Sequence, residues 1–330
     1  MLKIDEKNKG KRLDLFVLET LHNRDYKFIS RNFLTNNWEG IVKVDGVARK
    51  QAYKLKPGEE VDIDMEKVEN LREKMTSSTD IKPQHGDLEI LFESEDFLVI
   101  DKPKGVVVHP GIGNEDGTLV NYVKGYLSEK DDFKKEVQRA GIVHRLDKGV
   151  SGLIVFAKNL EMQKHLQEQF ENHQVKKIYL AKVEYKELRR GIKKYFPSEE
   201  SEYLDIDDEI EKLEESNFTF DKSWFKAEGY ISRSPRNRVK MQFKKYFGRR
   251  GKKAISYIKP VNKEQVLVAI TTGRMHQIRA TLEYLGIGIV GDTLYGFARD
   301  TSMPDSIELR SVFLSFKELD GSDFTIIKTQ

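Results

Sequence analysis

Residues 66–87, EKVENLREKMTSSTDIKPQHGD, interrupt the apolar patterning and divide what the chain can build. They are polar and lack strand alternation, so they read as a linker that opens with a short helix. The patterning differs on its two sides. Residues 10–65 form one module, in which GKRLDLFVLETL sets Leu13, Phe16, Val17 and Leu21 at helical spacing. SRNFLTNNWEG opens on Ser30 as an N-cap and stops at Gly40. IVKVDG alternates like a strand and turns at Asp45-Gly46, a favoured hairpin dipeptide. PGEEVDID adds another turn and a closing strand, so two helices feeding a short hairpin is the expected plan.

Residues 88–330 form a second unit. Its blocks LEILF, FLVI and VVV are short and β-branched, as strands are. Helices are expected at 118–127 and about 160–172, the latter leading into a strand at KKIYLAKVEY. VLVAI reads as another strand, and TTGRMHQIRATLEYLGI as a turn entering a helix near Met275. Residues 198–221 differ, with eleven acidic residues and one lysine. They read as a solvated, partly helical surface insertion, the alternative being a specific contact with a basic partner or repulsion of wrong RNA. The basic run SRSPRNRVKMQFKKYFGRRGKK follows, and its interleaved aromatics and cations suit base stacking and phosphate contact as well as a solvated loop.

Composition removes several classes. The 330 residues include no cysteine, which excludes disulfides, thiolate zinc sites and a cysteine nucleophile. The net charge of +3 does not by itself declare a nucleic-acid partner. MLKIDEKNKGKRLDLF has no apolar stretch suited to a signal peptide, and no run approaches the roughly 18 apolar residues of a membrane span. A soluble cytoplasmic protein is expected. GIGNEDGT lacks the GK[ST] of a phosphate-binding loop, and neither HExxH nor a metal-ligand cluster occurs, so no nucleotide cofactor or metal is expected.

The densest chemical cluster is HRLDKGVSG, where Asp147 lies between an apolar strand, GIV, and another apolar stretch, LIVFA. A partly desolvated carboxylate there can be a nucleophile, a base or a stabiliser of positive charge. A salt bridge with Arg145 or another arginine closing a turn is the simpler reading. Gly149 and Gly152 permit tight backbone geometry nearby. In TTGRMHQIRA, Arg274 falls in a turn that suits phosphate contact and Arg279 on a helix that suits a carboxylate partner. Two surface arginines are the plain alternative, and His276 reads more simply as a core or surface histidine. Tyr179 shares a strand face with Lys177 and Ala181, either as a platform for a base or as a packed tyrosine.

Taken in order, these segments resemble the RluA/RluD-type pseudouridine synthases across nearly all of 88–320. LEILFESEDFLVIDKPKGVVVHPG, GIVHRLDKGVSGLIVFAKN, KKIYLAKV, ISRSPRNRVKM, TTGRMHQIRATLEYLGIGIVGDTLYG and LRSVFLSF follow the family's sequence of motifs. Residues 10–65 are similar to the small S-four-type RNA-binding domain. The resemblance implies an α+β fold: a mixed, largely antiparallel sheet with flanking helices and a central cleft, preceded by a small α/β RNA-binding domain. It assigns Asp147 as the catalytic aspartate, Tyr179 as the tyrosine stacking on the target base and implicated in proton transfer, and Arg279 as the basic partner of the aspartate. Arg145 matches the arginine that helps hold the target nucleotide out of its stack. Arg274, His276, Arg12 and Arg31 are expected to contact RNA. Val150 and Met275 stand where the family usually has threonine, and threonine or serine.

The implied reaction breaks the C1′–N1 bond of a flipped-out uridine, turns the uracil and rejoins it through C5, without a cofactor. Asp147 would act on the sugar, at C1′ or at C2′. The expected partner is RNA, most simply large-subunit (23S) ribosomal RNA, for a monomeric enzyme. The alternatives are a transfer-RNA pseudouridine synthase, a non-catalytic RNA-binding ribosome-assembly factor, or a glycosidic hydrolase, for which no second carboxylate is evident.

Overall fold

In a computed structural model of the chain, residues 1–24, 26, 29, 31–70, 81–111, 113–130, 137–186, 188–189, 191–196, 204–246, 251–296 and 306–330 are described. Ser30, residues 71–80 of the expected linker, Ile112 of GIGNEDGT, residues 198–203 of the acidic stretch and residues 247–250 of the basic run lie outside them. The chain forms two compact units, Met1–Asp80 and Ile81–Gln330.

In the first unit, strands β1 (Leu2–Lys3), β2 (Val42–Val44), β3 (Val47–Ala48) and β4 (Glu60–Ile63) form a sheet in the order β1-β4-β2-β3. Helices α1 (Leu13–Asn23) and α2 (Arg31–Asn36) pack against it. Leu13, Val17 and Leu21, one stripe of α1, pack with Leu34, Val42, Val44 and Val61. The β2–β3 hairpin turns through Asp45 and Gly46 at φ 49° and 76°. Positive φ at both central residues is the turn whose twist matches paired strands. β1 and the buried Ile4 precede residue 10, and a two-residue strand is too short to show alternation in sequence. Residues 65–70 are helical, and Val68 is buried in this same core.

The second unit is built on one large sheet, eleven-stranded among the described residues. Its strands are β5 (Glu89–Glu93), β6 (Phe97–Lys102), β7 (Ser151–Ala157), β8 (Lys176–Tyr185), β9 (Phe225–Arg233), β10 (Met241–Lys244), β11 (Lys252–Pro260), β12 (Gln265–Ile270), β13 (Ile287–Ile289), β14 (Leu309–Lys317) and β15 (Asp323–Ile327). The order is β10-β9-β11-β12-β8-β14-β7-β6-β5, with β13 beside β8 and β15 beside β14. Pairing is antiparallel throughout except between β14 and β7, where Arg310 meets Ser151 and Ser311 meets Gly152. The mixed, largely antiparallel sheet expected from the resemblance is therefore present.

Period two explains why the central strands read as unbroken apolar runs. On β7, Ile154 and Phe156 enter one core while Leu153, Val155 and Ala157 enter another on the opposite face. β6 divides the same way, Leu98 and Ile100 against Phe97 and Val99. Helix α3 (Leu119–Glu129) covers the first face with Val120, Val123 and Leu127. Helix α4 (Leu160–Glu171) covers the second with Met162 and Leu166. Asn159 caps α4 by accepting the Met162 N–H at 2.8 Å.

Three local expectations are corrected. VVV at 106–108 is not a strand. The carbonyls of Val107 and Val108 accept the Leu119 and Val120 N–H groups at 2.9 and 3.1 Å, meeting orphan donors at the start of α3. GIV at 141–143 makes only an isolated bridge, between Ile142 and Phe156. The acidic segment is not a solvated decoration in its described part. Helix α5 (Ile206–Glu215) is capped by Asp205 and buries Ile210 and Leu213 against the sheet. Phe220 then stacks on Tyr257 at 3.7 Å and Phe218 meets Phe313 at 5.0 Å. The acidic residues occupy its outer face, except Glu209, which is buried and paired with Lys259.

Candidate active site

Five segments converge on one pocket of about 630 Å³, one of them the end of α4 with Gln167, Phe170 and Glu171. The loop after the 3-10 turn Gln138–Gly141 brings Arg145 and Asp147. β8 brings Lys177 and Tyr179, on one face because they are two residues apart. The turn after β12 and helix α6 (Gln277–Leu285) bring Arg274, His276 and Arg279. Leu309, at the start of β14, completes the wall.

The Asp147 side chain is 26% exposed, and its Oδ2 accepts from Arg279 Nη1 at 2.8 Å. The salt bridge with Arg145 that sequence allowed is absent, and Arg145 is exposed at the pocket. Arg279 is itself fixed from behind. Its Nε and Nη2 donate to the two carboxylate oxygens of Asp292 at 2.6 and 2.9 Å, and Asp292 is fully enclosed. Asp292 Oδ1 also accepts the Leu294 and Tyr295 N–H groups at 3.0 Å. Burial disfavours the Arg279 charge, but hydrogen bonds and charge from Asp292, then Asp147, outweigh it and raise its pKa.

Helix α6 begins at Gln277 rather than near Met275, which leaves His276 at its N-cap with a left-handed φ of 52°. His276 Nε2 faces Asp147 Oδ2 at 3.8 Å, and its Nδ1 lies 2.9 Å from the Tyr295 hydroxyl. That hydroxyl already accepts the Met241 N–H at 2.6 Å. The arrangement favours a proton on Nε2, toward the carboxylate, with Tyr295 donating to Nδ1. Burial lowers the His276 pKa, and the Asp147 charge opposes this only in part. Tyr179 is 7% exposed, and burial followed by the Asp147 charge raises its pKa.

Sequence reading missed the support beneath the loop. Lys102 is fully buried, and its ammonium donates to the carbonyls of Pro103, Lys148 and Val150 at 2.8, 3.1 and 2.8 Å. Two of those carbonyls flank Gly149, just past Asp147. Burial lowers Lys102 to about 8, with the Asp147 charge acting against it. Its signal was a lysine ending a strand buried on every residue, FLVIDK. Gly152 has φ 105°, and a Cβ there would lie 2.2 Å from the Ser311 carbonyl, so only glycine fits where β7 meets β14. Gly149 has no such positive φ.

A family model described as RNA pseudouridylate synthase matches residues 96–284. The chain belongs to the RNA pseudouridylate synthase family. It is thus an RNA pseudouridine synthase, an isomerase. An uncharacterized RNA pseudouridine synthase of Aquifex aeolicus (strain VF5) is 32% identical over 309 residues, 93% of this chain and 83% of that protein. A ribosomal large subunit pseudouridine synthase D of Xylella fastidiosa (strain Temecula1 / ATCC 700964) is 36% identical over 222 residues, 66% of this chain and 54% of that protein. Among solved structures, human RNA Pseudouridylate Synthase Domain Containing 4 aligns with a TM-score of 0.51 at 18% identity, over 73% of this chain and 88% of that one. This likeness bears on the fold alone. The matched span holds Arg145, Asp147, Tyr179, Arg274, His276 and Arg279, whereas Asp292 and Tyr295 lie beyond it.

The first unit places the remaining two expected residues together. Asp14 is fully buried, and Arg12 Nε and Arg31 Nη2 donate to it at 2.9 and 2.7 Å. Both arginines stay nearly half exposed. Each therefore orients through a fixed carboxylate while keeping donors for solvent or a ligand.

Proposed function

We propose that the enzyme isomerises uridines of large-subunit ribosomal RNA, with Asp147 acting on the sugar, Arg279 holding that carboxylate and Tyr179 packing against the base. The observation carrying this reading is a single one: a partly exposed Asp147 on the wall of a nucleoside-sized pocket, tied to a buried arginine, with buried Tyr179 lining the same pocket. The ribosomal substrate rests on the large-subunit enzymes among the relatives. Residues 10–65 would serve as an S-four-type RNA-binding module, with Arg12 and Arg31 on its RNA side.

In this scheme the uridine leaves its stack and enters the pocket, and Arg145, exposed at the pocket, supports the extruded nucleotide. Asp147 either attacks C1′ or takes a proton from C2′. The C1′–N1 bond breaks, the uracil turns, C1′ bonds to C5, C5 loses its proton and N1 gains one. Atoms balance with no added reactant. The buried Arg279 fixes the carboxylate's direction without crowding its free oxygen, because only Nη1 reaches it.

Tritium release from C5-labelled uridine in ribosomal RNA tests the reading. The wild type should release tritium, while Asp147→Asn should bind RNA and release none. Full turnover by Asp147→Asn would sink the assignment. Pseudouridine mapping of total RNA with and without the gene separates ribosomal from transfer RNA. A primary isotope effect from C2′ deuterium marks the base route, and a trapped ester at C1′ marks attack.

A further inference from the structure

The pocket holds a second charged feature that the isomerisation scheme does not use. Lys177 is 8% exposed and lines the pocket. Its ammonium lies over the Phe170 ring at 5.1 Å, and among the described residues no carboxylate or carbonyl accepts from it. The aromatic face softens the loss of water but supplies no counter-charge. Burial alone draws Lys177 down to about 8.

Apart from the exposed Glu171, the groups around it are cationic or neutral. His144 stacks on Phe170 at 4.6 Å and accepts the Val155 N–H at Nε2, so it is neutral. Arg274 is steered by its Nε, which donates to the Lys253 carbonyl at 2.9 Å, and it too lines the pocket. His173 lines the same pocket, its pKa lowered by burial and then by the charges of Arg274 and Lys177. Gly273 adds no bulk, since a Cβ there would still sit 3.8 Å from the Lys177 ammonium. Glu171 is the acidic group on this side, and it is exposed.

We propose that Lys177 and Arg274 form a phosphate subsite that seats the RNA backbone phosphate next to the extruded uridine. This rests on the reading of the pocket as a uridine site. A largely desolvated ammonium on a pocket wall with no counter-charge is costly, and an anionic ligand removes that cost. Lys177 stands two residues from Tyr179 on one strand face, about 7 Å away. That is the reach from a base packed on Tyr179 to its own backbone. A phosphate there would fix where the sugar lies relative to Asp147.

The test uses the full-length protein and a twelve-nucleotide oligouridine. Lys177→Met should reduce the slope of log Kd against log salt by about 0.7, the value of one single-strand phosphate contact. Arg274→Met should behave alike, and thermal unfolding should show Lys177→Met at least as stable as the wild type. A second arm needs no loss-of-charge variant. Reductive 13C-methylation keeps each lysine charged, and the Lys177 signal is assigned by its absence in Lys177→Arg. Its midpoint near 8 should rise when oligouridine is added. An unchanged salt slope together with an unmoved midpoint would overturn the subsite. A midpoint that moves with inorganic phosphate but not with oligouridine would overturn it too, marking a site for the free ion. Tritium release is scored separately, so failure of the isomerase reading and failure of the subsite are distinguishable.

Discussion

Asp292 binds Arg279 through two hydrogen bonds, at 2.6 and 2.9 Å, and leaves it one edge with which to reach Asp147. The geometry of the exposed carboxylate is thus set by a buried one thirteen residues past the arginine.

Asp292→Asn keeps the shape and removes the charge. Breaking one partner of a buried pair costs about 3–5 kcal/mol. Chemical denaturation should show a loss of that order, and tritium release should fall because Arg279 is no longer aimed. A variant with wild-type stability and turnover would show that Asp292 does not hold the arginine.

Tyr295→Phe deletes the hydroxyl between Met241 and His276. The Met241 N–H loses its acceptor, an omission costing about 1–3 kcal/mol when buried. His276 also loses the group that selects its tautomer. Nitrogen NMR should report a single Nε2-protonated imidazole in the wild type and a mixture in the variant. The same tautomer in both proteins would contradict the arrangement.

Stability should fall as the medium is acidified through the histidine range. Burial, then the Lys177 charge, hold His144 at about 3 in the folded chain, against about 6.5 when unfolded. Between those values the unfolded chain takes up a proton that the folded chain refuses. The contribution is therefore present above pH 6.5 and declines below it, by roughly 1.4 kcal/mol per pH unit. His109, His173 and His276, each lowered, act in the same direction. His144→Gln should show a slope shallower by one proton between pH 5 and 6, and identical slopes would refute the assignment.

Leu213→Ala probes whether the acidic segment is structural. Leu213 is 4% exposed in a core with Ile210, Trp224 and Phe313. Large-to-small changes in such places cost about 2–5 kcal/mol. A loop lying loosely in solvent would register less than about 0.5 kcal/mol. Denaturant midpoints decide between them.

What could be read in sequence was mostly local. The β8 strand, the helix at 160–172 and the Asp45-Gly46 turn each carry their cause within a few residues. VVV failed because its carbonyls serve a helix start twelve residues later, a use that no strand propensity records. The acidic segment misled because eleven carboxylates mask two buried aliphatics. The site was legible as types and order of residues rather than as partners. Asp147 and Arg279 are 132 positions apart, so nothing in their spacing could choose Arg279 over the neighbouring Arg145. Lys102 and Asp292 act wholly from inside, and composition does not distinguish them from surface charges.

β14 lies between β7 and β8, which joins two sheet portions that have no other connection in the strand order. Until residues 309–317 arrive, β7 and β8 each present an open edge, and such edges invite foreign strands. Asp147 precedes β7 and Tyr179 lies on β8, so in the sheet the two halves of the site are joined through β14, a strand from far down the chain.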